Sequence, residues 1–423
     1  MTEHHATAEA PPSRERRSGA DRRVVTPADV SERRSMVRRA TDRLLAARGE
    51  AAAARANVGG RVGGLEAPHR RLDPGSRILE KTGVIAYRAM TWLLQHAPAR
   101  LAWFVGARVA QAGYQVWPKK REWLNANFGH VLGLPPEDPA VRQLALAAYR
   151  NYGRYLVDLM RLPGVPPEKI GLLVEPGGLE LLERARAESR GLILAAAHVG
   201  NNEAVAAGMA SLGLPISVVA DDSAFPEMFE LLRKQRAAWG IKLIPWRKLR
   251  EMFGVLRRDE MLALLVDWGY RSDGIPVRLF DSWTCLPAGP AVLAAKTGAT
   301  ILPIVVRRRP DGRMYVGADA PIKVRSTDPI EIGRATQAVA LALQRIVAAA
   351  PDQWYSFKPM WPPTREEADA LAQRPEAEGA RQYLAELDGS GAGHVGGREA
   401  LAANRGAEPP VSRGEPASAS GGA

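Results

Sequence analysis

The stretch GLILAAAHVGNNEAVAAGMASLG, residues 191–213, decides how the chain is read. Its first seven residues form an uncharged apolar run of strand length, VGN marks a turn, and NEAVAAGMASLG continues as a helix. Outward from it the pattern repeats. LPISVVA (214–220), IKLIPW (241–246), MLALLVDW (261–268), ILPIVVRR (301–308) and MYVGA (314–318) are further short apolar runs. Helical segments such as PEMFELLRKQRAAWG (226–240) and AGPAVLAAKTGA (288–299) fall between them, and IGRATQAVALALQRIVAAAP (332–351) is a last helix. Alternation of this kind predicts an α/β fold with a central, mostly parallel sheet flanked by helices. NFGHVLGLPPEDP (127–139) reads as a loop.

In open α/β sheets, ligands bind beyond the carboxyl ends of the strands. His198 stands at such an end, and Glu203 follows it on the helix. Residues five apart on one continuous helix point away from each other, so the two meet only if the histidine lies in the turn. Gly200 permits that turn. Asn201 is placed to cap the helix, and the amides beside the histidine offer an anion or oxyanion site. His4 with Glu9 and His394 with Glu399 share the spacing, but they lie in low-complexity ends that cannot build a pocket.

A histidine with an unperturbed pKa of about 6.5 serves as a general base near neutrality. A carboxylate on its other ring nitrogen fixes the tautomer and stabilises the imidazolium. No serine or cysteine nucleophile follows His198 locally, and no G-x-S-x-G elbow occurs in the chain. The arrangement therefore suits direct activation of a substrate hydroxyl, with acyl transfer in a ternary complex and no covalent acyl-enzyme. Cys285, the single cysteine, excludes an intrachain disulfide and reads as buried and inert. No second histidine or acid at ligand spacing accompanies His198, so no metal is expected.

The 423 residues carry a net charge of +12, which points to a polyanionic partner. Residues 1–72 read as a basic, disordered arm and residues 376–423 as a short helix followed by a disordered tail. The arm lacks aromatics interleaved with its arginines, so no nucleic acid is expected. Residues 73–118 read as a helical hairpin, with Pro98 opening its second helix and Pro118 ending it. Tyr87, Trp92, Trp103, Tyr114 and Trp117 among scattered arginines suit the membrane interface, and an anionic surface is the expected partner.

The block AAAHVGNNEAVAA resembles the H-x4-D/E block of glycerolipid-type acyltransferases. It is closer still to the HxGNWE form of the lipid A biosynthesis lauroyl/myristoyl acyltransferases and the phosphatidylinositol mannoside acyltransferases. The resemblance continues in order through LLRKQRAAWGIKLIP, LLVDWGYRSDGIPVRLF, LPAGPAVLAAKTGATILPIVVRR and PDQWYSFKPMWP, and makes residues 119–375 an acyltransferase domain. It implies His198 as general base with Glu203 as orienting partner, and Arg236 on a phosphate or the thioester oxyanion. It places Asp267 near the pocket and Gly289, with its neighbouring amides, where they approach the donor's thioester; Gly200 and Asn201 contribute the turn and cap whose amides offer the oxyanion site. It also implies a membrane lipid acceptor at the cytoplasmic face of the cell inner membrane. The co-substrate is then an acyl carrier protein or coenzyme A thioester, with no cofactor. The chain departs from the pattern at Asn202 (usually tryptophan), at Asp221 and Asp222 (commonly a basic segment) and at Gly269 (a frequent second acid). A catalytically silent module that binds anionic lipid or another polyanion is the alternative of a different class.

Overall fold

The computed structural model describes residues 74–389 apart from 178, 215 and 222–224. The basic arm at 1–72, the tail from 390, Asp222 and the two other histidine–glutamate pairs lie outside the described residues. The described chain opens on helices α1 (Pro74–His96), α2 (Ala99–Val116), α3 (Pro118–Leu132) and α4 (Pro139–Arg161). A single turn α5 (Pro167–Ile170), strand β1 (Val174–Pro176) and α6 (Leu179–Ala187) lead into the alternating region. That region comprises β2 (Leu192–Ala196), α7 (Asn202–Ser211), β3 (Ile216–Ala220), α8 (Pro226–Ala238), β4 (Ile241–Pro245), α9 (Leu249–Arg257) and β5 (Met261–Leu265). The hairpin β6 (Ile275–Leu279) and β7 (Ser282–Leu286) precedes α10 (Gly289–Thr297), β8 (Thr300–Arg308) and β9 (Met314–Ala318). Helices α11 (Pro329–Ala349), α12 (Arg365–Ala372) and α13 (Glu378–Gly389) follow.

The apolar runs become the strands of a seven-stranded sheet of order β1-β9-β8-β2-β5-β3-β4. Neighbours from β8 to β4 pair in parallel, whereas β9 returns antiparallel to β8. β2 is buried at every position, as a central strand covered by helices on both faces must be. After β2 the chain crosses to β3 and β4 and then comes back to insert β5 beside β2, so their carboxyl ends lie next to each other at the middle of the sheet.

Residues 127–132 are helical rather than looped: α3 runs to Leu132 and ends on Gly133 in the left-handed region (φ 63°). Leu124, Asn127, Phe128 and Val131 recur at helical spacing and are buried, which overrides the glycine within the segment. Pro98 lies at the cap position of α2, and Pro118 both ends α2 and opens α3. Of the rings assigned to the membrane interface, Trp92 and Trp117 are exposed, but Tyr114 is buried and Trp103 donates to Asp158 Oδ1 on α4 at 2.6 Å.

The α2–α4 crossing depends on the absence of two side chains. A Cβ on Gly153 would overlap the Gly106 carbonyl and stand 2.8 Å from the Ala110 Cβ. Gly153→Val is therefore expected to separate the helices and to destabilise the protein by about 1–3 kcal/mol. Thermal unfolding checks this, and a Tm equal to wild type would show that the crossing yields without cost.

Candidate active site

Parallel pairing of β2 with β5 sets Ala196 opposite Leu265. Each strand continues for two residues, the Val266 amide still bonding the Ala196 carbonyl at 2.9 Å, and then presents a functional side chain. The same offset brings His198 and Asp267 level. His198 Nδ1 lies 2.8 Å from Asp267 Oδ1, and the His198 backbone N–H donates to Asp267 Oδ2 at 2.9 Å. Trp354 Nε1 donates to that same Oδ2 at 2.9 Å from a fully buried indole. The Asp267 carboxylate is enclosed, whereas the His198 side chain is 36% exposed and opens toward solvent.

Burial works against either charge, yet the partners outweigh it. Desolvation pushes the Asp267 pKa up, but the His198 charge and the bonds from His198 and Trp354 bring it below the ordinary carboxylate value. Desolvation likewise pulls His198 down, and the charge and hydrogen bond of Asp267 raise it above its ordinary value, against a smaller lowering by Lys358. The pair is thus set to carry the proton on the ring and the negative charge on Asp267.

A strap formed by residues 353–355 closes over the turn after β2. Val199 and Trp354 form an antiparallel bridge, the Tyr355 N–H donates to the His198 carbonyl at 2.8 Å, and the Gly200 N–H donates to the Gln353 carbonyl at 3.2 Å. The Gln353 amide is itself clamped to Arg308, accepting from its N–H at 2.6 Å and donating to its carbonyl at 3.1 Å. Gly200 adopts φ 67°, and a Cβ there would stand 3.0 Å from the Val306 carbonyl oxygen. Glycine is required on both counts.

The partner of His198 is therefore Asp267 and not Glu203, the residue that the four-residue interval suggests. α7 begins at Asn202, so Glu203 lies in its first turn and reaches across to α8, where Arg236 grips it through both nitrogens, Nε at 2.9 Å from Oε2. Both side chains are largely enclosed, at 14% and 13% exposure. Arg236 is accordingly neutralised within the protein rather than presented to a phosphate or an oxyanion. Asn201 caps α7, its Oδ1 accepting from the Ala204 N–H at 3.1 Å, and Asn202 Nδ2 donates to the Ala197 carbonyl at 2.8 Å. The amides expected to hold an oxyanion are already bonded: His198 to Asp267, Val199 to Ala197 and Gly200 to Gln353. Gly289 opens α10 beside empty space, with nothing within 4 Å of a Cβ placed on it. That helix feeds β8, whose first residue pairs with the first of β2, so Gly289 heads toward the carboxyl edge.

Cys285 is buried and its thiol is pushed up to about 11, chiefly by burial, which leaves no thiolate for catalysis. Among the described residues no cluster of histidine, cysteine and acidic side chains has the makings of a metal site. Asp267, which the resemblance placed only near the pocket, is the partner of His198, and Trp354 supports it. The signal for the first was present: LILAA-A-H and MLALL-V-D carry their polar residue at the same offset from strands of equal length.

A buried carboxylate ordering an open histidine at the carboxyl edge of such a sheet is the arrangement of a general base in an α/β enzyme. The chain belongs to the bacterial lipid A biosynthesis acyltransferase family, whose sequence pattern matches residues 70–362, and it is accordingly an O-acyltransferase. It is similar to a phosphatidylinositol mannoside acyltransferase of Mycobacterium tuberculosis, 27% identical over 316 residues that span 71% of this chain and 95% of the relative. Its likeness to the enzyme of that name from Mycolicibacterium smegmatis is 27% over 285 residues, 66% of this chain and 90% of the relative.

Proposed function

We propose that the protein transfers a fatty acyl chain from a thioester of acyl carrier protein or coenzyme A to a hydroxyl of a membrane glycolipid. The acceptor is of the lipid A or phosphatidylinositol mannoside type. The observation that carries this reading is the dyad: with Nδ1 committed to Asp267, His198 Nε2 is the nitrogen left to take the acceptor proton. The hydroxyl oxygen attacks the thioester carbonyl as its proton passes to Nε2. The tetrahedral intermediate then collapses, the C–S bond breaks, and the departing thiolate takes the proton back from the imidazolium. Asp267 stabilises that imidazolium throughout, and no acyl-enzyme forms. Two small apolar cavities, about 80 Å³ and about 120 Å³, share Met209 and Ile304 in their walls, and the smaller is also lined by Asn202 and Glu203; they offer the acyl chain a place away from water.

Among the described residues no helix is long and apolar enough to cross a membrane. The hairpin nevertheless exposes Trp92, Leu93, Leu101, Phe104, Val109 and Trp117 beside Arg88, Arg100 and Arg108. That mixture suits the headgroup layer, with rings among the acyl chains and cations at phosphates. We place the protein there, peripherally, on the cytoplasmic face of the cell membrane. The test incubates the full chain with labelled acyl donors of both kinds and with either glycolipid, and follows products by mass spectrometry. An acylated glycolipid with no label retained on denatured protein is expected. Label that persists on the protein would overturn the direct mechanism, and lipid binding without any product would favour the silent binding module.

A further inference from the structure

Beyond the dyad, the chain that continues from the strap brings Lys358 beside the dyad and meets a second lysine, Lys120, at the residue before it. Lys358 lies on the ring of Trp268, its Nζ 3.8 Å from the centroid, and Trp268 is the 39% exposed residue directly after Asp267. Lys120, on α3, donates to the Phe357 carbonyl at 3.1 Å and stands over Trp123 at 4.9 Å. Asn127 holds the same segment from below, donating to the carbonyls of Ser356 and Lys358 at 3.1 and 2.8 Å. Gly269 makes room: it adopts φ 105°, and a Cβ there would press on the Lys358 Cβ at 3.1 Å. Lys358 is thus mounted on pinned backbone and a flat ring.

The charges around it call for an anion. Lys358 lies on the ring that follows Asp267 and opposes protonation of His198, while Lys120 is tied to the carbonyl just before Lys358 and opposes protonation of Lys358. Asp221 favours the Lys358 charge, and among the described residues neither lysine forms a salt bridge. Two ammonium groups that oppose each other, one of them beside a base that must itself become cationic, favour a ligand that neutralises them.

We infer that Lys358 and Lys120, mounted on Trp268 and Trp123, form a phosphate-binding site beside His198 for a substrate of the transfer reaction. This rests on the acyl-transfer reading above. The phosphate belongs either to the acceptor lipid or to the donor carrier. The acceptor fits better, because a phosphodiester next to the sugar lies near the reacting hydroxyl, whereas the pantetheine arm holds the donor's phosphates far from its thioester. The ammonium groups would then fix the headgroup so that its hydroxyl meets Nε2.

Binding is measured by calorimetry on the full chain carrying His198→Ala, so that no turnover intervenes. The probes are a short-chain phosphatidylinositol mannoside, a mannosyl diacylglycerol that lacks the phosphate, and a non-transferable thioether of acyl-coenzyme A. Adding Lys358→Met is expected to weaken the phosphate-bearing acceptor about tenfold and to leave the phosphate-free one unchanged, with Lys358→Arg recovering most of the affinity. A tenfold loss confined to the coenzyme A analogue upholds the site and assigns it to the donor. Equal losses on both acceptors, or no loss on any probe while unfolding shows the variant intact, would overturn it. Phosphate-dependent binding by the His198→Ala chain, together with a wild-type chain that makes no ester from the same lipid and donor, would leave the site standing and refute the acyl-transfer reading instead.

Discussion

Asp267→Asn is expected to lower kcat by about 10³–10⁴-fold in a protein that remains folded. The substitution is isosteric, yet it replaces the charge that holds the imidazolium and offers Nδ1 a group able to present either an oxygen or an amide. His198→Ala should lose a comparable factor, and the double variant little more, because the two side chains act as one unit. The pH profile gives a second readout. His198 must be neutral to accept a proton, and its pKa is raised above the ordinary 6.5 by Asp267. In wild type the acid limb of kcat/KM therefore lies above that value, with activity rising as pH increases through it. In Asp267→Asn the raising influence is gone while burial and Lys358 still lower the ring, so the limb of the residual activity moves to lower pH. A kcat within tenfold of wild type, or an unmoved limb, would remove Asp267 from the mechanism.

Glu203→Ala is expected to act on the fold. It leaves the Arg236 guanidinium, 13% exposed, without its carboxylate, a loss of about 3–5 kcal/mol for an enclosed ion pair. Tyr87 and Tyr155 lie close enough to feel both charges, so the defect opens between α1, α4 and α8. Replacing both partners together, Glu203→Met with Arg236→Met, removes the stranded charge and should recover most of the stability, because well-packed apolar side chains substitute for such pairs at small net cost. The same double variant separates structure from chemistry. Retained turnover would show that Glu203 supports α7 and the turn before it. A double variant as stable as wild type but inactive would return Glu203 to the reaction.

The parallel core was legible because its strands are short apolar runs bounded by turns, and their order along the chain is also their order of alternation with helices. The β6–β7 hairpin was not. Its turn is Phe280–Asp281, both at positive φ (48° and 64°), where the readable turn residues are glycine and asparagine. Strand β1, three residues long, lies below any periodicity. For the site, His198 could be singled out because strand, turn and helix fall in one continuous stretch. Its true partner depends on β5 pairing beside β2, a contact across 69 residues that local spacing does not encode. The nearer acid, Glu203, matched a motif but was turned away by the start of α7 and captured by Arg236, 33 residues on. Trp354 is core, and its hydrogen bond to Asp267 became visible only with the fold.

The strap also carries a consequence in time. A ribosome delivers the chain from its amino end, so His198 and Asp267 leave the exit tunnel well before Trp354, which follows Asp267 by 87 residues. Until that indole arrives, the carboxylate lacks its donor and the turn after β2 lacks its antiparallel neighbour. On the placement proposed above, the hairpin would reach the bilayer early, whereas the enclosure of Asp267 is completed only when most of the folded region has been synthesised. An unfinished chain therefore lacks the donor that completes the surroundings of its carboxylate.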